Sequence, residues 1–256
     1  MNKSKKPKIL IYDIETSPIE TRRWSLWYKG ALETTKDQEI TSIAYNWYGD
    51  KKIHVVAQCD FKDKTDKTLC RKLWKLMNKA DAVMGHNSNE FDNKTAQARF
   101  AAHRLGRPSP NQTIDTLKEA KKNFKFTSNR LDEIARYLGV KRKLSIGANQ
   151  LWKDCERGIK KAWKQLKDYN KNDVLVLMEV FEILKPWIIF PSEFTTIKGK
   201  PKACTNVSCG STRLKSRGWI YTKTTKYRKF RCMDCGSYCR SRKQDKNVLK
   251  NEVVGI

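Results

Sequence analysis

The chain has 256 residues, which is enough for one sizeable core and a small additional module. Lys and Arg number 54 against 27 Asp and Glu, and the formal net charge of +27 favours nucleic acid as a partner over a merely solvated surface. The apolar runs are too short for a secretory signal or a membrane span, so we expect a cytoplasmic protein with no membrane partner.

Strand and helix patterns alternate along most of the chain. Apolar and β-branched residues predict a buried strand at 9–15 and a hairpin of residues 39–48 and 52–59 around Gly49-Asp50. This order predicts an α/β fold with a mixed sheet flanked by helices. The further predicted elements are strands at 82–85 and 112–117 and helices at 68–77, 91–105, 131–138 and 159–184.

A domain boundary is predicted after the last long helix. Pro186 ends that helix, and Pro191 and Pro201 interrupt the segment that follows. Residues 191–256 contain sixteen Lys and Arg against four Asp and Glu, so the end of the chain is densely basic. The predicted division is a main domain at 1–188, a linker at 189–201 and a small module at 202–256.

Acidic residues occur where a metal site is favoured. Asp13 and Glu15 are separated by one residue on the first predicted strand, so both side chains lie on one face. Adjacent buried carboxylates repel each other unless cations neutralise them, and their hard oxygens suit Mg²⁺ or Mn²⁺. Asp92 opens a predicted helix after an Asn-rich loop, where helix capping is the alternative role.

Tyr169 and Asp173 have the i, i+4 spacing that places two side chains on one face of a helix. They lie along the apolar stripe of the last helix, where a metal ion would offset the cost of burying a carboxylate. An exposed or Arg-paired aspartate is the simpler alternative. Glu90 and Asp115 are nearby acids that could act instead, and Asp115 is expected to be structural in a strand-to-helix turn.

The order of these acids closely resembles that of the DEDD superfamily of 3′-to-5′ exonucleases, which have an RNase H-like fold. In this resemblance Asp13 and Glu15 form the first motif, Asp92 the second and Asp173 the third. Tyr169, four residues before the last acid, is typical of the tyrosine (DEDDy) branch. The other branch has a histidine five residues before that acid, and Asp168 stands there in this chain.

The resemblance implies hydrolysis of a terminal phosphodiester with two Mg²⁺ or Mn²⁺ ions. It implies that Asp13 contacts both ions and that Glu15 and Asp173 complete the ion on the side of the attacking water. Asp92 would serve the other ion, largely through water, and Tyr169 would orient the attacking water.

The resemblance extends over nearly the whole chain, to phage and bacterial proteins similar to the exonuclease domain of family-B DNA polymerases, often with a zinc ribbon. It implies the 3′ ends of DNA as substrate, the cytoplasm of a bacterium or phage-infected host as location, and a replication or recombination protein as a partner. The additional matching segments are Ser17-Pro18, the loop of Trp24 and Trp27, residues 113–117 and residues 128–132.

Several basic, amide and aromatic residues are candidate nucleic-acid contacts. Trp24 and Trp27 are candidates for base stacking, with core or hairpin packing as the alternative. His86 and His103 are expected to be structural. The remaining candidates are Asn87, Lys94, Arg99, Asn129 and Arg130 in the main domain and Arg213, Lys215, Arg217, Lys229 and Arg231 in the small module.

Four cysteines in the small module have the spacing of a zinc ribbon. The pairs Cys204-x4-Cys209 and Cys232-x2-Cys235 are typical of one structural Zn²⁺, which would supply folding free energy to a module too small for a large core. Residues 219–222 and 227–231 are the predicted ribbon strands. Cys239 is an alternative ligand, and docking to a protein is the alternative role for the ribbon.

Two other functions are compatible with these residues. An RNase H-like endonuclease would share the fold, and a catalytically inactive accessory protein would bind nucleic acid through the basic module. The complete set of acids argues against the inactive protein. Closed circular single strands distinguish the nucleases, because they have no 3′ end.

Overall fold

The computed structural model describes residues 7–25, 27, 30–63, 65–109, 112–140, 148–188, 203–206, 209–222, 225–241 and 243. The chain divides into two compact units, a larger one of Pro7–Phe181 and a smaller one that contains Glu182–Ile256. The predicted linker at 189–201 lies outside the described residues. Within the described residues, no helix has the length and apolarity needed to cross a membrane.

The larger unit is built on a five-stranded mixed sheet. The described strands of this unit are β1 (Ile9–Thr16), β2 (Glu20–Arg22), β3 (Glu33–Lys36), β4 (Ile40–Trp47), β5 (His54–Ala57), β6 (Ala82–Gly85) and β7 (Gln112–Asp115). The sheet order is β5-β4-β1-β6-β7, and β2 pairs with β3 in a separate hairpin. β1 is central: it pairs antiparallel with β4 and parallel with β6. β5 is antiparallel to β4, and β7 is parallel to β6.

Helices connect and flank these strands, which confirms the predicted α/β fold. α6 is the longest described helix, and its last residues belong to the smaller unit. The described helices are α1 (Lys67–Lys79), α2 (Asp92–Ala102), α3 (Thr116–Asn123), α4 (Leu131–Tyr137), α5 (Ala148–Glu156) and α6 (Lys160–Leu184).

Two regions differ from the elements predicted from sequence. The strand predicted at 112–117 ends at Asp115, because the Asp115 side chain accepts hydrogen bonds from the backbone N–H groups of Leu117 (3.0 Å) and Lys118 (3.4 Å) and starts α3. The hairpin of β2 and β3 was not predicted, because its strands are almost entirely exposed and lack an apolar alternation.

The two faces of β1 differ in chemistry. Leu10, Tyr12 and Ile14 alternate on one face and are buried in a core with apolar residues of α1 and α2. Asp13 and Glu15 lie on the opposite face, as the period of two requires. The central strand therefore carries an apolar core on one side and a pair of acids on the other.

Asp66, directly before α1, connects three elements through a fully buried carboxylate. Its oxygens accept hydrogen bonds from Arg99 of α2 at 2.6 and 2.7 Å and from the backbone N–H of Ile40 in β4 at 2.9 Å, and His103 Nε2 lies 2.5 Å from Oδ1. Burial acts to raise the pKa of Asp66, but the hydrogen bonds from Arg99 and His103 outweigh it and hold the pKa below the ordinary value of 3.8.

Asp66→Asn is expected to lower the free energy of unfolding by about 3–5 kcal/mol, because it removes the closest charge partner of the nearly buried Arg99 guanidinium and leaves only the longer pair with Glu39 at 3.6 Å. Urea unfolding at pH 7 measures this loss. The exposed pair of Arg22 and Glu33 provides the control, and Glu33→Gln should cost less than about 1 kcal/mol. Similar losses in the two variants would contradict the structural role of Asp66.

The stability that Asp66 contributes is expected to depend on pH. Since the pKa of Asp66 is lower in the folded chain than in the unfolded chain, its contribution is fully present above the unfolded pKa and is lost as the pH falls through the folded pKa. The difference in stability between wild type and Asp66→Asn should therefore shrink below about pH 4.

The smaller unit contains an antiparallel sheet of β8 (Leu214–Tyr221), β9 (Lys226–Cys232) and β10 (Tyr238–Arg240), in the order β10-β9-β8. β9 contains the predicted strand at 227–231, β8 covers all but the last residue of the predicted strand at 219–222, and β10 was not predicted. From residue 203 onward, the described buried side chains are Cys204, Asn206, Cys232 and Ser237. This sheet therefore has no large apolar core among the described residues, and its stability must come from another source.

Candidate functional site

Three of the predicted acids meet at the end of β1. The carboxylates of Asp13, Glu15 and Asp173 each offer an oxygen, and these oxygens all lie within 4.8 Å of one another. Asp173 is buried, whereas Asp13 and Glu15 are half-buried. Residues separated by about 160 positions thus form one acidic cluster, which joins the central strand to α6.

Asn170 holds this cluster in place and was not identified from the sequence. It is fully buried, and its amide Nδ2 donates to Asp13 Oδ2 at 2.7 Å. The Ser42 hydroxyl of β4 donates to Asn170 Oδ1 at 2.8 Å, so the amide links β4, α6 and β1. A signal was present: Asn170 stands between Leu166 and Val174 at i, i+4 spacing, a polar residue in a row of buried apolar positions.

Tyr169 is half-buried on α6, one helical turn before Asp173. The i, i+4 spacing places both side chains on the same side of the helix. Tyr169 also directly precedes Asn170, and both lie on the helix that supplies the third acid of the cluster.

Asp92 is buried at the first turn of α2 but is not part of the three-carboxylate cluster. Its Oδ1 accepts a hydrogen bond of 3.1 Å from the backbone N–H of Ile14, the residue between Asp13 and Glu15. β6 pairs with β1 only as far as Ile11, so Asp92 contacts β1 beyond the paired segment. This contact ties the second predicted motif to the first.

The loop before Asp92 is held by Asp115. The Asp115 carboxylate accepts hydrogen bonds of 3.0 Å from the backbone N–H groups of Asn87 and Asn89, and Asn87 has a positive φ of 62°. Asp115 also caps α3, so its geometry is that of a structural residue. Glu90 of the same loop is exposed and pairs with Lys94 and Lys118.

Negative charge from the acids also affects Tyr12. Burial, followed by the charges of Asp92 and Asp13, raises the pKa of the Tyr12 phenol well above its usual range. The hydroxyl therefore stays protonated at neutral pH, and it donates to Asn93 Oδ1 at 2.6 Å. Asn93 follows Asp92 in α2, so this bond is a second tie between α2 and β1.

The acidic cluster fits divalent cations. At an effective dielectric constant near 20, two carboxylates about 5 Å apart repel each other by about 3 kcal/mol, which a bound cation would offset. The donors are hard carboxylate oxygens of the kind that Mg²⁺ and Mn²⁺ prefer. Asp13, Glu15 and Asp173 could hold such ions, with Asp92 close to the same strand.

A second possible group, Asp66, Cys70 and His103, fits a metal less well. Arg99 already occupies both oxygens of Asp66. Burial raises the pKa of the Cys70 thiol, which therefore stays protonated and is a poor metal ligand. This group is better described as a structural network, in agreement with the structural role expected for His103.

The candidate nucleic-acid contacts of the larger unit lie in different environments. Trp24 and Trp27 are 82% and 91% exposed, so neither indole packs in the core. Lys94 pairs with Glu90 at the surface, and Arg130 is exposed. Both oxygens of Asp66 engage the Arg99 guanidinium, so its geometry is that of a structural residue and not of a phosphate contact.

His86 lies beside Asn129 and connects three elements. Its ring nitrogens lie 2.9 Å from Thr116 Oγ1 and 2.9 Å from the backbone oxygen of Asn129. Because both nitrogens are engaged, the geometry is that of a structural histidine. It also fixes Asn129, one of the candidate contacts, beside the end of β6.

The four predicted zinc ligands come together in the smaller unit. The Sγ atoms of Cys204, Cys209, Cys232 and Cys235 all lie within 4.8 Å of one another, with 3.5 Å between Cys204 and Cys235 and 3.6 Å between Cys209 and Cys232. Tetrahedral Zn–S bonds of about 2.3 Å require sulfur atoms about 3.8 Å apart. The cluster therefore fits Zn²⁺, and Cys239 is outside it.

Hydrogen bonds favour a thiolate at Cys235, whereas burial raises the pKa values of Cys204 and Cys209. Burial acts to raise the pKa of Cys235, but hydrogen bonds from Ser237 and from the neighbouring thiols outweigh it and lower the pKa to about 7. A thiol with this pKa is substantially ionised at neutral pH, the form in which cysteine binds metals. Burial raises the pKa of Cys239 above its usual value instead.

The predicted basic contacts of the smaller unit lie on or beside its sheet. Arg213 pairs with Asp234 at 2.5 Å, whereas Lys215 and Arg217 are exposed on β8. Lys229 and Arg231 lie on β9, two residues apart and therefore on the same face.

The family comparison agrees with this architecture. The family model of the RNase H superfamily matches residues 10–185, which contain the five-stranded sheet and the clustered acids Asp13, Glu15 and Asp173. A comparison with curated proteins gave no match. The superfamily match supports a nuclease-type hydrolase that binds nucleic acid and uses divalent metals. Because the matched residues make up more than half of its length, the chain belongs to the RNase H superfamily.

Proposed function

We propose that the protein is a metal-dependent 3′-to-5′ exonuclease of the DEDDy type that hydrolyses phosphodiester bonds, with DNA as the favoured substrate. The observation that carries the proposal is the cluster of Asp13, Glu15 and Asp173, whose carboxylate oxygens lie within 4.8 Å of one another. The order of the acids along the chain and the tyrosine four residues before the last one support the tyrosine branch.

In this proposal Asp13, Glu15 and Asp173 hold two Mg²⁺ or Mn²⁺ ions, and Asp92 contributes to the second ion. The bound ions supply an activated water and stabilise negative charge on the departing 3′ oxygen. We assign Tyr169 the role of orienting the attacking water through its hydroxyl, with the acidity supplied by the ions.

One assay tests polarity and mode of attack together. Linear DNA labelled at its 5′ end should give a ladder that shortens progressively from the 3′ end when Mg²⁺ or Mn²⁺ is present. Closed circular single strands should resist cleavage, since they have no 3′ end. Cutting of the circles would identify an endonuclease instead, and absence of cleavage of either substrate would support an inactive accessory protein.

The same assay addresses the nature of the strand. RNA of matching sequence should be degraded more slowly than DNA if the substrate is DNA. Equal or faster degradation of RNA would overturn the DNA preference without affecting the proposed site. We also propose that this protein acts together with a replication or recombination protein.

In the smaller unit, we propose that Cys204, Cys209, Cys232 and Cys235 bind one structural Zn²⁺ as a zinc ribbon and that the surrounding basic residues bind the nucleic-acid strand. The proposed division assigns catalysis to the main domain at 1–188 and strand binding mainly to the module at 202–256. Trp24 and Trp27, being exposed, are the proposed stacking residues of the main domain.

Asn170→Ala is expected to reduce the affinity for Mn²⁺ by about 10- to 100-fold, because the Asp13 carboxylate loses the amide that orients it. The measurement is the Mn²⁺ concentration at half-maximal cleavage. Ser42→Ala removes only the support of the amide and should cause a smaller shift in the same direction. A loss of maximal activity with an unchanged Mn²⁺ midpoint would contradict a positioning role for Asn170.

A further inference from the structure

The sheet of the smaller unit has two faces with different charges. Antiparallel partners share a face, so Lys229 with its partner Arg240, and Arg231 with its partners Lys215 and Tyr238, lie on one face. Tyr227 joins them by the period of two along β9. We call this the arginine face; its cationic and aromatic residues are Lys215, Tyr227, Lys229, Arg231, Tyr238 and Arg240, and Ile220, the partner of Tyr227, lies on the same face.

The opposite face carries the indole of Trp219. A bulge between Ser216 and Trp219 shifts the alternation of β8, so Trp219 pairs with Arg228, on the face opposite to Lys215. Gly218, with a positive φ of 84°, lies within this bulge. We call this the tryptophan face; its cationic and aromatic residues are Trp219, Tyr221, Lys226, Arg228 and Phe230.

The arginine face concentrates positive charge. It contains four cations and no carboxylate among its described residues, and Asp234, a nearby acid, is engaged by Arg213. Lys215, Arg231 and Arg240 are exposed. Like charges on neighbouring strands repel each other, so an anion that spans the strands would relieve the repulsion. A chain of phosphates spaced along the face satisfies this condition.

The arginine face also contains planar groups suited to bases. The Arg240 guanidinium lies 3.8 Å from the centre of the Tyr227 ring, and the Arg231 guanidinium lies 6.0 Å from the centre of the Tyr238 ring. An arginine held over a ring keeps its N–H groups available at its edge for phosphate, and its outer plane can stack on a base. The Tyr238 side chain is itself 56% exposed.

The tryptophan face lacks this combination. Its described paired positions carry two cations, Lys226 and Arg228, and both lie over the Trp219 ring, at 4.8 Å and 4.2 Å from its centre. Both cations therefore contact one indole, whereas the cations of the arginine face lie at separate positions across three strands. The two faces differ most in the number and spacing of their charges.

We propose that the arginine face binds single-stranded nucleic acid, with the cations contacting consecutive phosphates and the Arg–Tyr pairs stacking on unpaired bases. A duplex would present its phosphates but not the faces of its bases, so single strands are the preferred form. The proposal rests on the proposed function only in taking nucleic acid as the substrate. It extends that function by naming one binding face and one strand form.

The test uses the full-length, zinc-loaded chain with Asp13→Asn, so that binding is measured without cleavage. The ligands are a fluorescent 20-nucleotide oligothymidine and a 20-base-pair duplex. Lys229→Gln with Arg240→Gln removes two charges from the arginine face. Lys226→Gln with Arg228→Gln removes two charges from the tryptophan face and is the matched control. Zinc content and thermal unfolding verify that each variant is folded.

The arginine-face variant should bind oligothymidine about tenfold more weakly or worse, and its affinity should depend less on salt, by about 1.4 in the slope of log K against log salt for two lost phosphate contacts. The control variant should lose less than about threefold. Tyr227→Leu should weaken oligothymidine binding by about fivefold or more without changing the salt slope, because it removes stacking and not charge.

Equal losses in the two charge variants would overturn the proposal, since they would indicate binding to diffuse charge on both faces. Tighter binding to the duplex than to oligothymidine would also overturn it. The proposed exonuclease is judged separately by cleavage with the unmodified chain. Binding to the arginine face without cleavage would refute the exonuclease alone, and cleavage with equal losses on the two faces would refute this inference alone.

Discussion

Replacing Asp13 or Asp173 with asparagine is expected to reduce cleavage on the order of 10³-fold or more, because each carboxylate contributes to the site proposed to hold the divalent cations. Binding of a single strand should change little, since the cationic residues are untouched. The measurement is the rate of shortening of a 5′-labelled strand at saturating Mg²⁺, compared with the dissociation constant of the same strand.

The stability of these variants gives an independent result. In metal-free buffer, removing one of three mutually repelling carboxylates should leave the free energy of unfolding unchanged or raise it. Glu90→Gln is the matched control, because Glu90 is an exposed acid of the neighbouring loop that lies outside the cluster. Normal cleavage by Asp173→Asn, or a loss in Glu90→Gln as large as in Asp13→Asn, would refute the assignment of the site.

Cys232→Ser is expected to abolish zinc binding and to unfold the sheet of β8, β9 and β10. Structural zinc contributes about 10 kcal/mol or more to the folding of small modules, and the described part of this sheet has no apolar core that could replace it. The measurements are zinc content per chain and the rate of tryptic cleavage within residues 203–243. The larger unit should keep its own unfolding transition.

Cys239→Ser is the control for zinc, because Cys239 lies near the four-cysteine cluster but outside it. It should retain one zinc ion per chain and resist trypsin as the wild type does. Loss of zinc from Cys239→Ser together with retention in Cys232→Ser would show that the ligand set is wrong.

Features with a strong local period were predictable from the sequence. The apolar, β-branched run at 9–15 predicted a buried strand, and the period of two along a strand predicted that Asp13 and Glu15 share a face. The apolar stripe of α6 predicted a helix that buries Asp173. The spacing of the four cysteines predicted a cluster that the structure brings within 4.8 Å. Each of these signals is contained within one element or one motif.

Local patterns did not predict contacts between distant elements; the meeting of Asp13 with Asp173 was expected only from the resemblance to the exonuclease superfamily. Asn170 contacts Asp13 and Ser42, which lie 157 and 128 residues away, so its role depends on how α6 packs across β1 and β4. Arg99 was predicted to contact phosphate, but a lone arginine on a helix does not reveal its partner Asp66, 33 residues earlier in the chain.

The faces of the small sheet show a different limit. Regular alternation along β8 would place Lys215 and Trp219 on one face, whereas the bulge between Ser216 and Trp219 places them on opposite faces. A single extra residue in a strand therefore decides which side chains can act together. The sequence of basic and aromatic residues did not disclose this shift.

A crystal soaked in Mn²⁺ tests the central claim most directly, because anomalous scattering locates the ions without relying on activity. We predict two peaks about 4 Å apart in contact with the carboxylates of Asp13, Glu15 and Asp173, and their weakening or loss in Asp173→Asn. Peaks that lie only elsewhere, such as beside Asp66 and His103, or a cluster that stays free of Mn²⁺ at saturating concentration, would contradict the account.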